Sequence, residues 1–296
     1  MTRFDHSDSS GTSRAGASNL ALRVASAAVL APVVLGVTYA GGWIFLALCT
    51  IGAGGILWEW TALVAQQRAD PRILAPGLAA LLLSVVLAGS HSSTLAWGVI
   101  AIGAALAAIA TRAEPGHGGE PASSTFLWAG GGVAYAGAAL LGPAQLRGDP
   151  QWGLTALLFL FATVWTTDIF AYFCGRAIGG PLLWPGVSPK KTWSGATGGL
   201  IGGVAAGVAV AYASGVGKLG IVGIVALVLS LLAQAGDLFE SAVKRRFGAK
   251  DASHLIPGHG GLMDRLDGFL VATFAALLIG VVRQGTAAPG RGLLVW

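Results

Sequence analysis

A chain of 296 residues that is 54% hydrophobic and only 10% charged cannot cover a water-facing surface, since a soluble domain carries about 25% charged residues. With a mean hydropathy of +0.72, most of it must be solvated by lipid. A net charge of +5 is modest for a nucleic-acid binder, so no nucleic-acid partner is expected. The two cysteines, Cys49 and Cys174, lie in apolar runs without metal-ligand spacing, which supports neither a disulfide framework nor a zinc site.

Residues 1–22 are polar and rich in Ser and Gly, the composition of a disordered tail, and the apolar run after them lacks the pattern of a cleavable signal. Apolar stretches then recur at about 24–40, 43–63, 73–89, 94–111, 126–142, 152–175, 195–213, 219–236 and 268–282. Several approach the roughly 20 residues that cross about 30 Å of hydrocarbon. The last must borrow residues from its polar N-terminal flank. The expected fold is all-α, a polytopic membrane protein of about nine transmembrane helices, with eight as the alternative count. Strands are not expected, because the runs are continuously apolar and do not alternate. Residues 23–145 read as an N-terminal set of helices and 146–296 as the region that carries the chemistry.

Two details of these runs bear on packing. Gly195, Gly199, Gly203, Gly207 and Ala211 repeat every four residues, a smooth strip that lets helix backbones approach closely. Glu59, between Trp58 and Trp60, fits an aromatic belt at the membrane interface. Across nine spans, 14 of the 18 Lys and Arg residues fall on one side and 4 on the other. The positive-inside rule therefore puts the N-terminus and the basic loops near 176–194 and 238–267 in the cytoplasm.

Six of the 13 acidic residues lie between 168 and 267: Asp168, Asp237, Glu240, Asp251, Asp264 and Asp267. Carboxylates at the edges of apolar helices need a partner or a wet cavity, because an ionised side chain at the bilayer centre costs about 2.5–3.5 kcal/mol on insertion scales. If the eighth helix continues past 236, Asp237, Ser241 and Lys244 share one face, and Lys244, Arg245, Arg246 and Lys250 form a cationic patch at the membrane surface. Pro257, Gly258, His259, Gly260 and Gly261 must leave the helix in a sharp turn. Asp264 and Asp267 then share a face as the next helix begins. Carboxylates from two neighbouring helices suit Mg²⁺, which leaves its other positions to substrate phosphates, and the cations suit those same phosphates.

A second cluster precedes it. Asp168, Tyr172 and Arg176 recur at helical spacing, where Asp168 is either a site residue or the partner of Arg176. The loop after them carries Ser188, Lys190, Lys191 and Thr192, hydroxyls and paired lysines able to grip a nucleotide triphosphate or to stand as solvated charges.

The stretch Ser241, Lys244, Arg245, Lys250, Asp251, Pro257, His259, Gly260, Gly261, Asp264, Arg265, Asp267 resembles the signature of the phosphatidate cytidylyltransferases, or CDP-diacylglycerol synthases. Gly236-Asp237-Leu238 and the loop from Ser188 to Trp193 are also similar to that family, so the resemblance covers about 168–270. One position departs from it: Ser194 stands where the family often has Glu or Gln. The resemblance implies transfer of a cytidylyl group from CTP to phosphatidic acid, dependence on Mg²⁺ with a second cation such as K⁺ possible, and a homodimer in the cell membrane. By position it implies Asp237 and Asp264 as metal ligands supported by Asp267, and Lys244, Arg245, Lys250 and Arg265 as phosphate binders. Asp251, His259, Ser241, Gly260 and Gly261 complete the expected site. The alternatives are a CTP-dependent lipid kinase and, from a different class, an ion-coupled transporter, although no internal repeat supports the latter.

Overall fold

The computed structural model describes residues 28–66, 69–90, 92–112, 122–253, 255 and 260–296. The expected tail over 1–22, and Pro257 and His259 of the glycine-rich turn, lie outside these residues. The helices are α1 (Ala28–Ala40), α2 (Gly42–Ala65), α3 (Pro71–Gly89), α4 (Ser93–Thr111), α5 (Ala122–Arg147), α6 (Gly153–Ile178), α7 (Trp193–Ala213), α8 (Leu219–Arg246), α9 (Met263–Gln284) and the short α10 (Pro289–Leu294). Among the described residues, eight are long and apolar enough to cross a membrane, α2 to α9, and α1 is a shorter apolar helix. The all-α polytopic fold is therefore the one expected, and the nine expected segments are these eight together with α1.

Hydropathy ends α8 too early and starts α9 too late. α8 runs on to Arg246 and α9 starts at Met263, because their polar turns face one another and are satisfied there rather than ending the helices. A two-stranded ribbon was not expected. β1 (Leu182–Trp184) pairs antiparallel with β2 (Ser188–Thr192), Trp184 opposite Ser188. Pro185 and Gly186 supply the reversal, closed by the Val187 N–H donating to the Trp184 carbonyl at 3.1 Å.

One continuous apolar core joins α2 through α6 to α8, α9 and α10. A second cluster, Trp60, Val243, Phe247 and Met263, ties α2 to the ends of α8 and α9. Trp60 Nε1 donates to the Trp128 carbonyl at 2.9 Å, and so fastens α5 to the same end. At the opposite end Arg147 donates to the carbonyls of Thr38 and Tyr39 at 2.7 and 3.0 Å. These are terminal carbonyls of α1 that would otherwise lack intrahelical partners.

The glycine strip does what its spacing implies. Gly195, Gly199, Gly203, Gly207 and Ala211 are all buried on α7, facing α6. A Cβ on Gly199 would stand 2.8 Å from the Thr167 carbonyl oxygen, and one on Gly207 2.5 Å from Thr163 Oγ1. Thr167 in turn bonds Ser230 of α8 at 2.7 Å, so α6, α7 and α8 meet on this line. Gly199→Leu should push the helices apart at about 1–3 kcal/mol or more, visible as a lowered thermal midpoint in detergent. Ile201→Leu, at a position 66% exposed on the other face of α7, should leave the midpoint unchanged.

Candidate active site

The polar ends of α8 and α9 converge. Helical spacing puts Asp237, Glu240 and Lys244 on the inward side of α8, and α9 presents Asp264 and Asp267 to them. Asp237, Glu240 and Asp267 each offer a carboxylate oxygen, all within 4.8 Å of one another. One oxygen of Glu240 is held by Lys244 at 2.9 Å; the other, Oε1, is buried without a hydrogen-bond partner. Asp264 is not one of these three. It pairs with Lys244 Nζ at 2.5 Å and accepts the backbone N–H groups of Ala252 at 3.1 Å and Gly261 at 2.8 Å. Of the expected ligand set, Asp237 and Asp267 fall in this group together with Glu240, while Asp264 is bonded to Lys244 and the loop.

The start of α9 explains why. A helix N-terminus leaves four N–H groups without intrahelical partners and favours negative charge. Asp264 accepts the Gly261 N–H just before the helix. Glu59, from α2, satisfies two of the four, accepting from Leu262 N at 2.8 Å and Met263 N at 2.6 Å, and it also takes the Ser253 hydroxyl at 2.5 Å. Glu59, expected in an aromatic belt, is 0% exposed inside the protein, because its carboxylate caps the start of α9. Gly260 has a φ of +85°, a conformation L side chains rarely adopt. A Cβ on Gly261 would stand 3.0 Å from oxygens of both Asp264 and Glu59. Gly260 is thus favoured by its backbone conformation and Gly261 by the tight space beside the two carboxylates.

The ribbon delivers the second cluster. Lys191 forms an ion pair with Asp237, and Ser188, Lys190 and Lys191 line the same cavity as the carboxylates. Thr192 has a capping role, its Oγ1 accepting from Gly195 N at 3.1 Å to start α7. Ser194 bonds the Gly179 carbonyl at 2.5 Å and Thr192 Oγ1 at 3.0 Å, so the short side chain at the departing position joins the ribbon to the end of α6. Arg176 donates to the Tyr172 hydroxyl at 3.2 Å rather than pairing with Asp168, and both Asp168 and Arg176 line the cavity.

This cavity, about 1310 Å³, takes in Lys244, Asp251, Asp264, Arg265 and the carboxylate trio at one end, and apolar residues of α1, α2 and α6 at the other. Its wall does not include Ser241, Arg245, Lys250, Gly260 or Gly261. Arg245 and Lys250 are exposed, with Arg245 donating to the Ala249 carbonyl at 3.4 Å. The cationic patch is therefore divided: at 100° per residue Lys244 turns inward while Arg245 and Arg246 turn out. Two residues that sequence reasoning did not single out belong to the site. Glu240 was legible as the i+3 neighbour of Asp237. Glu59 carried no local signal beyond being a carboxylate in an apolar run.

The arrangement, a carboxylate trio with cations at the mouth of a cavity that becomes apolar, is suited to joining a polyphosphate to a lipid. Comparison with known proteins agrees in kind. The profile of the cytidylyltransferase family matches residues 21–282. A protein of Brucella abortus (strain 9-941) called phosphatidate cytidylyltransferase is 42% identical over 269 residues, covering 90% of this chain and 94% of the relative. Proteins of the same name from Bacillus subtilis (strain 168) and Haemophilus influenzae are 41% and 46% identical, over 43% and 42% of this chain and 47% and 45% of their own lengths. On this match over most of its length, the chain belongs to the cytidylyltransferase family.

Proposed function

We propose that the chain transfers the cytidylyl group of CTP to phosphatidic acid, giving CDP-diacylglycerol and pyrophosphate for phospholipid biosynthesis. The observation that carries this reading is the meeting of Asp237, Glu240 and Asp267 with Lys190 and Lys191 at the polar end of a cavity that turns apolar. A triphosphate is held at the one end and a lipid accommodated at the other.

The residues suit Mg²⁺. It is a hard cation that binds through one or two carboxylates and substrate phosphates, and Glu240 Oε1 is a buried acceptor with no partner in the protein. Asp237, Glu240 and Asp267 would hold it, and a second cation such as K⁺ rests on the family resemblance alone. When bound, Mg²⁺ neutralises charge on the triphosphate and on the departing pyrophosphate. The chain does the positioning. Lys190, Lys191 and Arg265 face the cavity and balance phosphate charge, while Lys244 keeps Glu240 and Asp264 aligned. A phosphate oxygen of phosphatidic acid forms a bond to the α-phosphorus of CTP, the α–β bridging bond breaks, and pyrophosphate leaves. The nucleophile is already largely ionised, because a phosphate monoester has a second pKa near roughly 6, so no general base is required and positioning with electrostatics suffices.

The distribution of Lys and Arg supports a cytoplasmic site and N-terminus in the plasma membrane, and the family resemblance supports a homodimer. The by-product tests the reaction. Purified protein given CTP, Mg²⁺ and phosphatidic acid should release pyrophosphate. Release of CDP, with diacylglycerol as the acceptor, would mean a lipid kinase instead.

A further inference from the structure

The cavity continues well past the carboxylates. Along α2 its wall runs from Ile56 through Ala53 and Cys49 to Phe45. At 1.5 Å rise per residue this is about 16 Å, close to half of the roughly 30 Å hydrocarbon thickness of a bilayer. Across from it stand Phe161 and Trp165 of α6, stacked at 4.9 Å between centroids. Leu30 and Val34 of α1 close the outer side. The charged residues of the wall all belong to the other end. At about 1310 Å³ the whole exceeds the ~300–1,000 Å³ of ordinary small-molecule pockets, so it has room for more than a nucleotide.

The arm also opens towards lipid. Ile51 of α2 and Ile169 of α6 line it while remaining 74% and 52% exposed. Only Thr38 of α1 is buried, and it is there, at the far end, that Arg147 holds the helix. A slot one leaflet deep, polar at the membrane surface and reached from the side, matches a lipid standing in its own leaflet.

Resting on the transferase reading above, we infer that this arm holds one acyl chain of the lipid substrate along α2, with α1 as its outer wall. Cys49, seven residues or about 10 Å below Ile56, marks a depth that long chains reach and short chains do not. The residues there set acyl-chain preference without touching the reacting phosphates.

The test compares dioleoyl with dihexanoyl phosphatidate as substrates for the full chain and for Cys49→Phe. KM for the long-chain lipid should rise about tenfold or more, a loss in the range of hydrophobic-pocket discrimination, and that for the short-chain lipid should stay within about twofold. Alongside, in a Cys174→Ala background, methyl methanethiosulfonate should modify Cys49 more slowly when the long-chain lipid is present, and at an unchanged rate with the short one. Equal losses on both substrates, or Cys49 labelling indifferent to the long-chain lipid, overturn the inference. If Cys49→Phe does not fold, the labelling experiment decides alone. Failure of the parent protein to turn over either lipid counts instead against the transferase reading.

Discussion

Glu59→Ala should reduce cytidylyl transfer by about 100-fold or more, the scale of losing a preorganised electrostatic element, although Glu59 does not line the cavity. The carboxylate is 0% exposed and accepts from Leu262 N, Met263 N and Ser253 Oγ. Truncation leaves three donors without their acceptor, at about 1–3 kcal/mol each when buried. The first turn of α9 then loses its hold, and with it the placement of Asp264 and Asp267. Hydrogen exchange separates this local effect from general unfolding: amides of 261–263 should exchange faster while those of α6 and α7 keep their protection. Glu59→Gln should fall between parent and Ala variant, since its carbonyl can accept while its amide nitrogen must face an N–H. Parent-level transfer by Glu59→Ala would remove Glu59 from any role in the site.

Lys244→Met is the other large loss expected. The ammonium lies between Glu240 at 2.9 Å and Asp264 at 2.5 Å, with their side chains 2% and 9% exposed. Removing one partner of a buried ion pair costs about 3–5 kcal/mol, because the charge left behind is neither solvated nor paired. Here two carboxylates are left. The folded yield and the thermal midpoint in detergent should both drop, and transfer should be lost. Lys244→Met combined with Glu240→Gln should regain much of the stability, since Asp264 keeps its bonds to Ala252 and Gly261, but none of the activity. A double variant as unstable as the single one would place the cost elsewhere than in the uncompensated Glu240 charge.

The parts of this site that lie close together along the chain were legible in the sequence. The continuation of α8 puts Asp237 and Lys244 on one face, and the same period reaches Glu240. Asp264 and Asp267 fall at the start of α9 as expected. Hydropathy identified the spans because each buries its backbone hydrogen bonds internally in lipid, and the glycine strip of α7 announced a close helix contact by spacing alone. What depended on distant chain contacts was not legible. Glu59 meets its partners across 203 and 204 residues of chain, and no local pattern distinguishes an interfacial carboxylate from an internal helix cap. The bonds of Asp264 to the loop amides of Ala252 and Gly261 likewise depend on how the loop folds back. The ribbon was missed for a different reason. Its strands are short and polar, and Pro185-Gly186 was read as part of a loop although it is also a turn that can join two strands.

The most direct measurement of the central claim uses purified protein in detergent with Mg²⁺ and CTP labelled at the α-phosphate. Phosphatidic acid or diacylglycerol serves as acceptor, and Asp267→Asn is the matched control. Label should enter the lipid phase with phosphatidic acid alone, and be lost when Asp267, one corner of the carboxylate trio, is neutralised. Label that stays in the aqueous phase, or full transfer by Asp267→Asn, would contradict that claim.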